Sequence, residues 1–283
     1  MTLKPEDFRL FHEQNRMSWN AVTPAHNSHK SDQAQFVREG GCTLFPEELD
    51  LLGDLTDRSL LHLQCNCGQD TLSLARRGAT VTGVDISDDA VEFARDLSNQ
   101  SGVPGEFIRS DLFDWFDRRE ESYDLVFSSY GTVDWLSDIK RWARGVRDAL
   151  KPGGKLAMVE FHPLVWSLKA DGYGRDGYFE PSPILERDGV RDYVVDTVPV
   201  SGLEEGVRDF GNPEEAYCFQ WTLADTVQAL IEAGLRITAL REYPYSNGCQ
   251  VFEGMRELPG RRFTMPEGQP SMPLMFGLTA RRD

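Results

Sequence analysis

Asp85 ends the second strand in the stretch LLHLQCNCGQDTLSLARRGATVTGVDIS (60–87), where an apolar strand, a loop, a helix and that strand follow one another. It stands 17 residues after Gly68, near the ~20-residue offset at which an acidic residue accepts hydrogen bonds from ribose hydroxyls. Ser87 is available to cap the next helix, which leaves the Asp85 carboxylate for a ligand. Asp111, in GEFIRSDLFDW, is a second strand-end acid. Its carboxylate suits an adenine amine, with Leu112 against the ring; capping a short helix is the competing use. Ser128, Ser129 and Tyr130, in YDLVFSSYG, end a further strand and line the same crevice. His162, in VEFHP, ends another, and an imidazole with an ordinary pKa of about 6.5 suits proton transfer near neutral pH. Its competing use is to fix the turn before Pro163, which holds it extended. Glu160 shares the strand face of His162 and is expected to orient it or to bury against a helix terminus.

The loop Gln64-Cys65-Asn66-Cys67-Gly68 is poor in glycine. A dinucleotide fold needs G-x-G-x-x-G there, because its pyrophosphate must approach the backbone at a helix N-terminus. A nicotinamide-dependent oxidoreductase is therefore the weaker alternative, and a nucleoside ligand without a diphosphate is the better reading. Cys65 and Cys67 form a C-x-C with no further ligands at metal-site spacing, so no metal is expected.

Strands at 60–64, 80–85, 105–109, 123–128 and 154–160 alternate with helices at 69–77, 87–99 and 137–150. That alternation predicts a Rossmann-like α/β fold, a mostly parallel sheet with helices on both faces. Residues 5–21 and 30–39 read as N-terminal helices, and Pro46 opens another. The run Pro152-Gly153-Gly154 reads as a break before a buried strand. After His162-Pro163 the alternation stops, and 164–220 reads as an inserted, partly antiparallel cap with strand-like pieces at YVVDTVPV and AYCFQW. Its aromatics (Trp166, Tyr173, Tyr178, Phe179, Tyr193, Tyr217, Phe219, Trp221) suit a planar or cationic substrate, or simply fill a small core. Helical periodicity returns with a Thr222–Asp225 capping box. Strands at 235–242 and 273–280 complete a seven-stranded sheet, separated by a turn-rich 243–271. The expected division is 1–56 as an N-terminal helical lid, 57–163 with 221–283 as the core, and 164–220 as the substrate cap.

The 283-residue chain carries a formal charge of −16. That field disfavours a polyanion, so no nucleic-acid partner is expected, and it favours a neutral or cationic small molecule. No run of ~18 apolar residues is present, so no membrane partner is expected, and no leader-like N-terminus is seen. Cytoplasmic residence is the default expectation. Five cysteines do not suggest a disulfide framework.

With these marks in order, the chain resembles the class I S-adenosylmethionine-dependent methyltransferases over roughly 40–162 and 222–280. The marks are VTGVDIS with Asp85, SDL with Asp111, YDLVFSSYG and LKPGG; HLQC and EFHP also look like a bacterial small-molecule branch. The family loop reads acid-x-Gly-x-Gly-x-Gly, and this chain has His62, Gln64, Asn66 and Gly68 at those places. The resemblance implies S-adenosyl-L-methionine as cofactor and methylation of a small molecule at nitrogen or oxygen; a non-catalytic binder of that cofactor is a further alternative. It implies cofactor contacts from Gln64, Cys65, Gly68, Asp85, Ile86, Asp111, Leu112, Ser128 and Ser129, with Trp19 and Asn20 of a lid closing on the methionine end. Gln64 and Asn66 are expected to supply polar groups where the glycines are missing. His162 and Tyr130 are the expected catalytic residues.

Overall fold

Leu60 faces one way from its strand and Leu61 and Leu63 the other, yet all three are fully buried. A strand reads this way when its sheet is covered on both faces. The computed structural model describes residues 5–169, 172–173, 177–179, 183–197 and 199–283, and leaves aside the side chains of 5–7, 169, 172–173 and 196. That leucine-rich strand, β1 (Ser59–Leu63), pairs in parallel with β2 (Thr80–Asp85) and with β4 (Tyr123–Ser129). Beyond β2 lies β3 (Glu106–Arg109), and beyond β4 lies β5 (Leu150–Phe161). Two later strands, β6 (Leu235–Tyr243) and β7 (Met275–Arg282), complete a seven-stranded sheet in the order β6-β7-β5-β4-β1-β2-β3. Only β7 runs against its neighbours, pairing antiparallel with both β5 and β6. The chain leaves β1 toward β2 on one side and returns to β4 on the other. The crevice at this reversal, outside the carboxyl ends of β1 and β4, is where open α/β sheets bind ligands.

Helices fill both faces. Leu60 packs with Leu51 and Leu52 of α3 (Pro46–Leu52) and Leu74 of α4 (Gln69–Ala75). Leu72 of α4 joins Val37 of α2 (Gln33–Arg38) and Val91, Ala94 and Leu97 of α5 (Asp88–Ser101). On the opposite face Leu61 and Leu63 meet α6 (Leu112–Arg118), α7 (Ile139–Ala149) and α8 (Leu223–Glu232) around the fully buried Trp142. The helix starts follow their chemistry. Ser87 caps α5 by accepting from Ala90 N at 3.1 Å, and Thr222 and Asp225 form the expected capping box on α8.

Three local expectations are corrected. The first helix, α1 (Pro5–Ser28), runs on through Pro24 instead of ending near residue 21. An interior proline costs about 3 kcal/mol; here Val22 and Ala25, beside it, are buried, and Val22 packs on Val190 and Ala216 of the insertion. The Pro152-Gly153-Gly154 break is instead a bulged start to β5, with Gly153 at φ 76°. Residues 193–200, read as a strand, form a 3-10 turn at Val194–Asp196, whereas Ala216–Cys218 does pair antiparallel with Ile184–Glu186. The turn-rich 243–271 holds a three-stranded sheet of Ser246–Asn247, Arg256–Leu258 and Arg262–Thr264 over its own cluster of Phe252, Met255, Phe263 and Leu274.

Among the described residues no helix is long and apolar enough to cross a membrane. The α8 cap predicts a measurable loss: Thr222→Ala should destabilise the protein by about 1 kcal/mol in urea unfolding, with an unchanged m-value.

Candidate functional site

The loop after β1 solves its lack of glycine without changing its path. Gln64, Asn66 and Gly68 have φ of 51°, 47° and 76°, so the left-handed conformation recurs at every second residue. Asparagine tolerates that region because its amide can bond locally, and Asn66 Oδ1 accepts from Cys67 N at 2.7 Å. Gln64 is braced differently: its Nε2 donates to Thr132 O at 2.9 Å, across the crevice from the loop after β4. Its Oε1 is buried and has no hydrogen-bond partner among the described residues.

Gln64 lines a cavity of about 790 Å³ at the carboxyl ends of the parallel strands, roofed by α1 and the insertion. Asp85 forms one wall. Its Oδ2 accepts from Asn66 N at 2.8 Å and its Oδ1 from Ser87 N at 2.9 Å. Burial raises its pKa, and the backbone N–H groups of Ser87, Asn66 and Ile86 oppose that rise. A carboxylate has about four acceptor positions, so Asp85, met by the N–H groups of Asn66, Ser87 and Ile86, ties the loop to α5 and keeps about one position spare. Asp111 does cap α6, accepting from Phe113 N at 2.8 Å and Asp114 N at 3.2 Å, and it also lines the cavity. Its other oxygen takes His12 Nδ1 of α1 at 2.6 Å. Burial pushes the Asp111 carboxyl upward, but His12 and the capping N–H groups outweigh it and hold it below the ordinary range. His12 Nε2 is buried and has no partner among the described residues.

Tyr130, at φ 40°, turns its ring into the cavity. Glu160 holds that strained turn by accepting from the backbone N–H groups of Gly131, Thr132 (2.8 Å) and Val133 (3.2 Å). Glu160 therefore anchors a short helical turn and does not orient His162. The Tyr130 hydroxyl accepts from Asn247 Nδ2 at 3.0 Å and pairs with the Glu48 carboxyl. Burial and the neighbouring Glu48 push the phenol well above its usual range. Burial likewise raises Glu48.

The expected site residues divide. Trp19, Gln64, Cys65, Asp85, Ile86, Asp111, Leu112, Ser129 and Tyr130 line the cavity. Asn20, Gly68, Ser128 and His162 do not. Asn20 ties α1 to α5, bonding Asp88 at 3.0 Å and Ser87 Oγ at 2.7 Å. Gly68 starts α4 where a Cβ would meet Phe107 at 2.7 Å. Ser128 bonds Thr132 Oγ1 at 2.9 Å. His162 uses both ring nitrogens elsewhere: Nδ1 accepts from Leu164 N at 3.2 Å and Nε2 meets Glu242 at 3.1 Å. Its geometry is that of a turn-fixing residue. Of the cap aromatics, Trp166, Tyr193 and Phe219 line the cavity. Tyr217 packs on Phe11, Trp221 donates to Leu136 O, Tyr178 accepts from Leu223 N, and Phe179 is exposed. The Tyr173 side chain lies outside the described residues.

Several wall residues carried no sequence signal: His12, Lys30, Glu48, Asp70, Asp134 and Arg261 all line the cavity. Each comes from outside a strand end or from a segment whose docking the local pattern does not encode. His62, at the place of the family's acid, is buried, pairs with Thr71 Oγ1 at 2.7 Å, and is lowered to about 4 by burial. It offers no anion to a ligand ammonium.

Residues 60–154 match the family described as "Methyltransferase domain". The chain is similar to the ubiquinone biosynthesis O-methyltransferase of Saccharophagus degradans, 28% identical over 108 residues, covering 38% of this chain and 45% of that one. It is also similar to the S-adenosyl-L-methionine-dependent Diels-Alderase iccD of Talaromyces variabilis, 37% identical over 105 residues, covering 36% and 35%. The chain thus spans less than half the length of these curated relatives. Among solved structures it superposes on the CcbJ methyltransferase of Streptomyces caelestis with a TM-score of 0.56 and 14% identity, covering 95% and 98% of the two chains, a likeness of fold.

The loop geometry predicts a split result for Gln64→Gly. Relief of about 1–2 kcal/mol of left-handed strain offsets a lost hydrogen bond and added unfolded-state entropy of about 1 kcal/mol each, so stability should change by less than about 1 kcal/mol. Affinity for S-adenosylhomocysteine should nevertheless fall, measured by calorimetry. His62 gives a pH test. Its folded pKa lies below its unfolded value, so neutral His62 contributes stability above pH ~6.5 that is lost as pH falls toward 4. His62→Asn should flatten the stability-versus-pH curve of that window relative to the unaltered protein.

Proposed function

We propose that this chain, which belongs to the class I S-adenosylmethionine-dependent methyltransferase superfamily, transfers a methyl group from that cofactor to nitrogen or oxygen of a small molecule. The observation that carries the proposal is that Asp85, with a spare acceptor position, and Gln64, whose Oε1 has no partner among the described residues, line one cavity wall. The fit to a nucleoside joined to an amino acid is chemical. Asp85 would hold ribose hydroxyls; Asp111, Leu112 and His12 would meet the adenine; Gln64 Oε1 would accept from the ammonium. When bound, S-adenosylmethionine supplies an electrophilic methyl on a sulfonium.

The chain's own part is positioning and exclusion of water. Holding reactants in line supplies several kcal/mol of a barrier. The roof that does this is tied down by many polar contacts. Asn15 of α1 bonds both N–H and C=O of Tyr217, at 2.6 and 2.9 Å, and Ser18 accepts from Val190 N at 2.9 Å. Tyr130 would stand beside the acceptor and orient it, its hydroxyl fixed by Asn247 and Glu48. His162 supports the turn beneath. The acidic chain and its enclosed cavity favour a small acceptor over a nucleic acid.

A second reading follows from the similarity to a protein named as a Diels-Alderase: the cofactor is held but no methyl leaves it. The two separate in one experiment. Calorimetry should show S-adenosylhomocysteine binding, lost by at least about tenfold in Asp85→Ala, and no comparable binding of NADH. Incubation of S-adenosylmethionine with the protein and a panel of small amines, phenols and acids should then yield S-adenosylhomocysteine. Binding with conversion of a panel member but without S-adenosylhomocysteine would support the second reading, and tight NADH binding alone would end both.

A further inference from the structure

The cavity of this acidic protein holds two cations that its own acids do not satisfy. Lys30 follows α1, and its main chain bridges to Leu203 of the insertion. Its half-buried side chain lines the cavity, and its ammonium has no hydrogen bond or ion pair among the described residues. A lysine offers three donors, and leaving them unmet in a partly dry space is costly. Burial lowers its pKa, opposed by the nearby Cys67, Asp70 and Asp192. Arg261, at the start of the small sheet's last strand, lines the same cavity. Its guanidinium lies 4.2 Å over the Phe45 ring, and among the described residues its one hydrogen bond is to Thr43 O, at 3.4 Å.

The acids nearest the two cations hold other partners. Asp70 acts electrostatically on both cations and accepts from Thr43 Oγ1 at 2.5 Å. Asp192 takes His29 on Oδ2 at 2.8 Å; its Oδ1 is buried without a hydrogen-bond partner among the described residues, and Asp192 is not part of the cavity wall. Glu48 accepts from Phe45 N in its capping box, and burial favours its protonated form. Asp70 is the carboxylate that acts on both cations, and among the described residues no carboxylate is hydrogen-bonded or ion-paired to either. We infer that Lys30 and Arg261 form a subsite for a carboxylate borne by the methyl acceptor.

This rests on the methyl-transfer reading, and it reverses the expectation that a charge of −16 favours a neutral or cationic substrate. Net charge sets the far field; unpaired groups in the cavity set what binds there. The acceptor, not the cofactor, is the better source of the carboxylate because both cations come from outside the β1–β4 edge. Lys30 lies where α1 meets the insertion, and Arg261 in the 243–271 segment, the parts that shape the far wall. Phe36, Phe45 and Tyr130 line the cavity with them, so the acceptor is an aromatic or otherwise flat acid.

The test uses 4-hydroxybenzoate, phenylacetate and their primary amides, titrated calorimetrically into protein saturated with S-adenosylhomocysteine. At least one acid should bind, and its amide should bind about tenfold or more weakly, as expected for loss of a charge-assisted hydrogen bond. Lys30→Met and Arg261→Gln should each lose that preference while keeping S-adenosylhomocysteine affinity within about twofold, which also shows that they fold. Acids and amides binding alike, or no acid binding, would overturn the inference. So would a Lys30→Met protein that binds S-adenosylhomocysteine weakly but 5′-methylthioadenosine normally, since Lys30 would then serve the cofactor's own carboxylate. Wild-type protein that binds the acids but not S-adenosylhomocysteine would instead fail the methyl-transfer reading.

Discussion

One carboxylate joins the three pieces on which the site depends. Asp85 ends β2, receives the backbone of the loop after β1 through Asn66, and receives the start of α5 through Ser87. A buried acid is tolerated only when hydrogen bonds replace its lost water, and those bonds fix the loop's path. With that path set, Gln64 and Asn66 must take up left-handed conformations that glycine would adopt freely. The side chains gained in exchange are useful: Asn66 bonds its own loop, and Gln64 spans to the loop after β4 while its Oε1 is left without a partner among the described residues. The loop is thus a glycine-type backbone that carries functional groups.

Glu160 plays the matching part across the crevice. It gathers the N–H groups of residues 131–133 and so sets the angle at which Tyr130 enters. Two buried acids therefore shape the two lips of the cavity. Neither needs to touch the reacting atoms to decide where they meet.

Much of this was legible in the sequence, for physical reasons. Period-two and buried apolar runs specify the parallel strands, and short-range chemistry specifies caps such as Ser87 and Thr222. Asp85 was legible because its spacing from the loop is set by one strand–helix–strand unit. His162 was misleading because a strand end points to the crevice only if the side chain turns that way, and Glu242 on β6 draws its ring elsewhere. Lys30, Glu48 and Arg261 were hidden because they reach the cavity by docking of distant segments, which local pattern does not encode. The insertion's polar contacts to α1, through Asn15 and Ser18, also depend on residues about 200 positions apart, and nothing in either stretch announces the other.

The account stands on the carboxyl edge of β1 and β2 gripping an adenosine that carries an amino acid. A crystal structure of the full chain with S-adenosylhomocysteine tests this most directly. The ribose hydroxyls should hydrogen-bond the Asp85 carboxylate, and the ligand's amino group should lie against Gln64 Oε1. A ligand bound with its ribose away from Asp85, or an edge that excludes adenosine altogether, would contradict it.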